Sequence, residues 1–241
     1  MDWRYSAPAC NIPRVKFSVL ILVCFAFTTT ATAQKHFKMT DASKAVDVTI
    51  DFPRCADQDN CGPVNFTFFR KGSPQPFQKI RVASTTMWDM EPNANETNLY
   101  DQQSTLNFGD FDFDGLEDVA ISDGSNGGYG GPSYRVYLYS KSFKKYVYSK
   151  PFTDLNQGDS LGFFEVDKTK KTLTRYTKDG CCWHQTQTFD VVRGRPRLVC
   201  KLTEDAMRGD DYVRVTTRKL IAGRWRSTTR KAKLEDYYKD K

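Results

Sequence analysis

Four aspartates and one glutamate crowd into nine consecutive residues, Asp110-Phe-Asp112-Phe-Asp114-Gly115-Leu116-Glu-Asp118. A hard cation such as calcium takes about six to eight oxygen ligands at about 2.3–2.6 Å, and carboxylates at alternate positions of a curled loop converge on one point. Asp110, Asp112 and Asp114 have that spacing. Gly115 then permits a sharp turn, Leu116 can turn its carbonyl inward, and Asp118 closes the shell from the start of the next strand. The loop is not an EF-hand, because Ile121 stands where the bidentate Glu would be. The competing reading is a solvated acidic turn anchored by Phe111 and Phe113. Mutual repulsion of the four aspartates weighs against it unless a cation neutralises them, so Ca2+ is the expected cofactor.

Two further clusters follow. Ser122 to Ser133 holds Ser125, Asn126, Gly127, Gly128, Tyr129, Gly130 and Gly131. Glycines allow unusual backbone angles and close approach, and a lone Tyr offers a large contact surface with little rotamer entropy to lose. The segment reads as a presented recognition loop or as a tight strand connection with Tyr129 folded back, and composition does not choose between them. No Gly-Lys-Ser/Thr ending supports a phosphate cradle. Asp179-Gly-Cys181-Cys182-Trp183-His184 places a Cys and a His on one strand face. Oxidised thiols and the lack of a second His nearby argue for a structural role over nucleophilic or zinc chemistry. With no Ser/His/Asp set either, an enzyme ranks last among the function classes.

The elements that must position these residues read as β. Alternating Val46, Val48, Ile50 and Phe52 mark a half-buried strand, and similar short runs recur over 79–83, 119–122, 133–139, 145–148, 163–167, 172–177, 185–192, 197–203, 212–220 and 224–229. Turn chemistry at 167–171, Arg193-Gly194 and Ala222-Gly223 suits antiparallel hairpins. The expected fold is all-β, a small propeller-like domain of short antiparallel strands with a β-sandwich as the alternative. No fixed-period repeat supports identical blades. Met87 to Gln103 reads as a surface loop. The last two runs form a basic C-terminal hairpin in which the charges line the wet face and Trp225 packs inward.

Export is expected from the N-terminus. Arg4, Arg14 and Lys16 precede an apolar run from Phe17 to Phe27, and Ala31-Thr-Ala33 follows as a cleavage site. Residues 1–33 are then a signal peptide and 34–241 a single domain, periplasmic and without a membrane span after cleavage. Cys10 and Cys24 leave with the signal. Of Cys55, Cys61, Cys181, Cys182 and Cys200, at least one lacks an intrachain partner. Cys55–Cys61 is the favoured local staple, while Cys181 or Cys182 with Cys200, or a vicinal Cys181–Cys182 bridge, stay open. The formal charge of +7 is no sign of nucleic-acid binding in an exported protein. An anionic wall polymer or an acidic partner cleft suits the basic hairpin better.

The stretch from Phe108 to Ile121 resembles the calcium loop of FG-GAP repeats. More broadly, the order Gly-Asp-Phe-Asp-Phe-Asp-Gly, Asn-Gly-Gly-Tyr-Gly-Gly-Pro-Ser-Tyr-Arg-Val-Tyr, Gly-Cys-Cys-Trp-His and Gly-Arg-Pro-Arg-Leu-Val is similar to bacterial periplasmic immunity proteins over roughly Phe77 to Asp205. Such proteins neutralise lysozyme-like peptidoglycan hydrolases delivered by a killing type IV secretion system. The resemblance implies a calcium-bearing lysozyme inhibitor of bacterial competition that inserts Tyr129, with Ser125 to Gly131 close against the hydrolase. The alternative is a non-catalytic, calcium-stabilised module that binds cell-wall glycan or an adhesion partner.

Overall fold

Period-two alternation of apolar residues dictates what each strand buries. In Val46–Phe52 every second side chain, from Val46 through Val48 and Ile50 to Phe52, is buried, and Val64, Phe66 and Phe68 do the same on the adjoining strand. A computed structural model describes residues 35–40, 43–52, 62–85 and 105–239. The expected signal peptide, Cys55 and Cys61 with their staple, and the 87–103 loop lie outside the described residues.

The strands form three antiparallel sheets, each an up-and-down meander in sequence order. The first joins β1 (Lys35–Met39), β2 (Val46–Phe52), β3 (Val64–Arg70) and β4 (Pro76–Val82). The second joins β5 (Leu106–Gly109), β6 (Asp118–Ser122), β7 (Tyr134–Ser140) and β8 (Lys145–Tyr148). The third runs β9 (Glu165–Asp167), β10 (Thr172–Asp179), β11 (Trp183–Val191), β12 (Pro196–Asp205), β13 (Tyr212–Ile221) and β14 (Arg224–Lys233). The fold is all-β, and its four-stranded meanders have the connectivity of propeller blades. Among the described residues, helix is confined to short pieces, notably α1 (Lys150–Thr153) and α2 (Leu234–Tyr238).

The second sheet is buried on both faces. Val119, Ile121 and Tyr137 join the cluster filled by Ile50, Phe52, Phe66 and Phe68 of the first sheet. Ala120, Tyr134 and Val136, on the other face, pack with Phe152 of α1, Phe164, Leu173 and Phe189. All five residues of β6 are therefore buried, which makes that strand a stiff strut.

Hairpin turns form where expected. Arg193-Gly194 and Ala222-Gly223 both sit at positive φ (54° and 67°, 49° and 75°), the twist that two-residue hairpin loops require. β1, β3 and β5 were not anticipated from the pattern. β3 alternates clearly once seen, but β5 is only four residues long and runs straight into the acidic loop.

Trp225 is a correction. It does not pack inward: it is 41% exposed, and the Arg218 guanidinium lies 5.6 Å from its ring centroid. The cause is positional, since β14 is the edge strand and every residue in it except Ala232 is exposed.

Candidate metal centre and docking loop

The acidic loop bridges β5 and β6 and is pinned by Phe111, which is 2% exposed and meets Phe163 and Phe164 edge-on at 5.3 and 5.6 Å. Around this anchor the carboxylates fold the loop by capping its own amides. Asp110 accepts from the N–H groups of Asp114 (3.0 Å) and Gly115 (2.9 Å), Asp112 from Asp114 (3.2 Å), and Asp114 from Leu116 (2.8 Å). Phe113 and Gly115 take positive φ, 61° and 86°. For a bulky aromatic that is a sparsely populated region, held here by the surrounding caps.

Asp110, Asp112 and Asp118 each present an oxygen within 4.8 Å of the others. Asp114, which the spacing placed beside them, stands outside that group, and the half-buried Leu116 follows it. Asp118 is buried at the start of β6, its two oxygens accepting the N–H of Phe111 and of Tyr139, both at 2.8 Å. Burial pushes its carboxyl up to about 7 despite those two hydrogen bonds, with the charges of Asp112 and Asp114 adding to the rise. Asp112 is raised as well, by burial first and then by Asp114 and Asp110. The donor set is all oxygen and none of the three carboxylates is ion-paired among the described residues, so they fit a hard divalent cation better than zinc or copper.

β6 carries this centre to the glycine-rich loop. The strand spans Asp118 to Ser122, about 14 Å at about 3.4 Å per residue. Beyond it, Ser133 ties the loop closed: its Oγ donates to Asp123 Oδ1 at 2.6 Å and receives the Asn126 N–H at 3.2 Å, while Arg135 grips Asp123 Oδ2 at 3.0 Å. Main-chain bonds fix the rest, from Gly127 to Gly131 (2.9 Å), Gly128 to Ser160 (2.7 Å) and Gly158 to Asn126 (3.0 Å). Two glycines are dictated by close approach. A Cβ on Gly127 would lie 2.7 Å from the Pro132 carbonyl oxygen, and one on Gly128 would lie 2.8 Å from that of Asp159.

Tyr129 sits at the apex of a single 3-10 turn, Gly128–Gly130, at φ 56°. It is 66% exposed rather than folded back onto the core. Its hydroxyl accepts the Gly180 N–H at 2.5 Å, and Lys178 Nζ lies 5.0 Å from the ring centroid. A hollow of about 700 Å³ opens beside it, lined by Gly127, Gly128, Asp159, Lys178, Trp183 and Met207 among others. Sequence reading singled out the loop but missed Asp159, Lys178 and Met207, which only the tertiary fold brings to Tyr129.

Gly180 belongs to the tip of the β10–β11 hairpin, where Cys181 and Cys182 form the vicinal disulfide and Cys200 is free. The alternatives with Cys200 do not form, for a geometric reason. Trp183 pairs with Asp205 and Thr188 with Cys200, so Cys200 lies five residues down the sheet, about 17 Å from the tip. His184 therefore has no thiol beside it, and it faces a separate hollow with Tyr176, Glu165 and Glu204.

No family model and no curated protein matches the chain. Among solved structures, the fold is similar to that of a Xanthomonas type IV secretion system related protein. The superposition has a TM-score of 0.65, covers 83% of this chain and 98% of that one, and shows 22% sequence identity. The likeness is one of fold.

Proposed function

We propose that this chain is an exported, calcium-binding immunity protein that inhibits a lysozyme-like peptidoglycan hydrolase by placing the Tyr129 loop in its active-site cleft. The observation that carries the reading is the pairing of exposure with rigidity at Tyr129. A largely exposed aromatic residue, its hydroxyl tied to the Gly180 N–H, stands at the apex of a loop whose amides and carbonyls are held by Ser133, Ser160 and Asn126. A pre-organised loop loses little entropy on docking, so more of its contact energy appears as affinity. Glycosidases of this class work with two carboxylates flanking the scissile bond, and an inserted side chain blocks them without any chemistry of its own. The chain acts, on this reading, as a non-enzymatic plug.

Asp110, Asp112 and Asp118 would hold the cation, with Asp114 shaping the loop. Calcium supplies, when bound, the positive charge those carboxylates lack. The protein's own part is to pass the resulting stiffness along the buried β6 to the docking loop. The description of the Xanthomonas structure as related to a type IV secretion system suits an envelope setting, and a periplasmic location is proposed with it.

The test is titration of the purified protein into peptidoglycan digestion by lysozyme-fold muramidases. Stoichiometric inhibition is expected, and Tyr129→Ala should weaken it by about 30-fold or more, the loss of a central aromatic anchor at about 2 kcal/mol or above. Inhibition unchanged by Tyr129→Ala would remove the loop from the mechanism. The hollow lined by Tyr129 and Trp183 favours one second reading, a module that binds wall glycan; retention on peptidoglycan without inhibition would select it.

A further inference from the structure

The β13–β14 hairpin plays no part in the inhibitory loop, yet it is densely basic. Tyr212 to Lys233 contains eight basic residues and no acidic one. Its charges divide along its length. Near the base, Asp210 neutralises Arg214 (2.8 Å) and Lys231 (3.2 Å), and Arg230 lies over the Tyr237 ring of α2 at 5.1 Å. Toward the tip, Arg218, Lys219, Arg224 and Arg226 have no carboxylate partner among the described residues.

The uncompensated end is also the apolar end. Ile221 is 55% exposed beside the turn and Trp225 is 41% exposed two residues beyond it. Register places Leu220 opposite Trp225 and Arg218 opposite Ser227 on one face, with Ile221 opposite Arg224 and Lys219 opposite Arg226 on the other. The tip therefore shows apolar side chains at its end and cations on both faces immediately behind. Pairing with a second copy through the open β14 edge would set cation against cation, which rules against self-association there. A soluble polyanion would need only the charge and leaves the exposed Ile221 and Trp225 without a role. A membrane surface uses both, because phosphates surround a tip-first ribbon on each face while Trp favours the headgroup layer.

We propose that the tip of the β13–β14 hairpin docks on an anionic phospholipid surface, with Ile221 and Trp225 entering the headgroup layer and Arg218, Lys219, Arg224 and Arg226 meeting lipid phosphates. The attachment would hold the protein at the envelope membrane while leaving the hydrolase-facing loop to its own task, and it does not depend on that loop's target.

The experiment is sedimentation of the full chain with vesicles of phosphatidylcholine, alone or with part of it replaced by phosphatidylglycerol. Because the chain also carries the apolar run Phe17 to Phe27, the readout is the difference between native protein and hairpin variants. Anionic vesicles should bind the native chain in a salt-sensitive manner, and Arg224→Ser with Arg226→Ser should weaken that binding about 25-fold, about fivefold per charge. Ile221→Ser with Trp225→Ser should retain the salt sensitivity but lose the quenching of tryptophan fluorescence by brominated acyl chains. All four positions are exposed, so unchanged melting curves are expected and serve as the folding control. The proposal is overturned if the native chain and the arginine variant bind anionic vesicles equally. It is also overturned if inorganic polyphosphate is bound alike by the native chain and the Ile221/Trp225 variant while acyl-chain quenching is absent, which would make the tip a general polyanion site.

Discussion

Replacing Asp112 by Ala separates the electrostatics of the acidic loop from its folding. Asp112 accepts one long backbone hydrogen bond, from Asp114 at 3.2 Å, whereas Asp110 accepts two and Asp118 is buried with two. Its removal therefore takes away a charge, and on the proposed reading a ligand, while leaving most of the loop's internal bonding. With oxygens of Asp110, Asp112 and Asp118 within 4.8 Å, each ionised pair repels by roughly 3.5 kcal/mol at an effective dielectric of about 20. In chelator, Asp112→Ala should thus melt at or slightly above the native temperature. Calcium at about 100 times its dissociation constant should stabilise the native protein by about 2.7 kcal/mol, if it binds the folded state alone. For a domain of this size that corresponds to a rise of about 5–10 °C in Tm. Differential scanning calorimetry across a Ca2+ titration reads both effects, and Asp112→Ala should lose most of the rise. An unaltered native Tm in millimolar Ca2+, or an identical rise in the variant, would refute the centre.

Two further outcomes follow from the same geometry. Asp114→Ala should keep more of the calcium response than Asp112→Ala but lower the metal-free stability by about 1 kcal/mol, read in a urea melt, because Asp114 caps the Leu116 N–H and stands outside the oxygen cluster. Gly128→Ala should cost about 1–3 kcal/mol in the same melt, since its Cβ would meet the Asp159 carbonyl oxygen at 2.8 Å and push the glycine-rich loop away from Ser160. Full native stability in Gly128→Ala would mean that the loop is not braced there.

Local patterns made much of the scaffold legible. Alternation in Val46–Phe52 located β2 to the residue, and positive-φ dipeptides such as Arg193-Gly194 announced their hairpins, because both are dictated by neighbours in the chain. Legibility failed at the edges. Trp225 alternates like a core residue, but whether a strand face is covered depends on what lies beyond it in the sheet, which the sequence of β14 does not record.

The candidate sites divide along the same line. The amino-acid order alone settled the β character, the acidic loop and the glycine-flanked tyrosine, since each rests on spacing over a few residues. Only the tertiary structure decided that Asp110, Asp112 and Asp118 are the carboxylates whose oxygens converge, that Cys181 joins Cys182 while Cys200 sits far down the sheet, and that Tyr129 leans on Gly180 beside Lys178 and Trp183. Those outcomes depend on strand register and on contacts between segments some 50 residues apart, such as Tyr129 with Gly180, whose free energy is absent until the sheets pack.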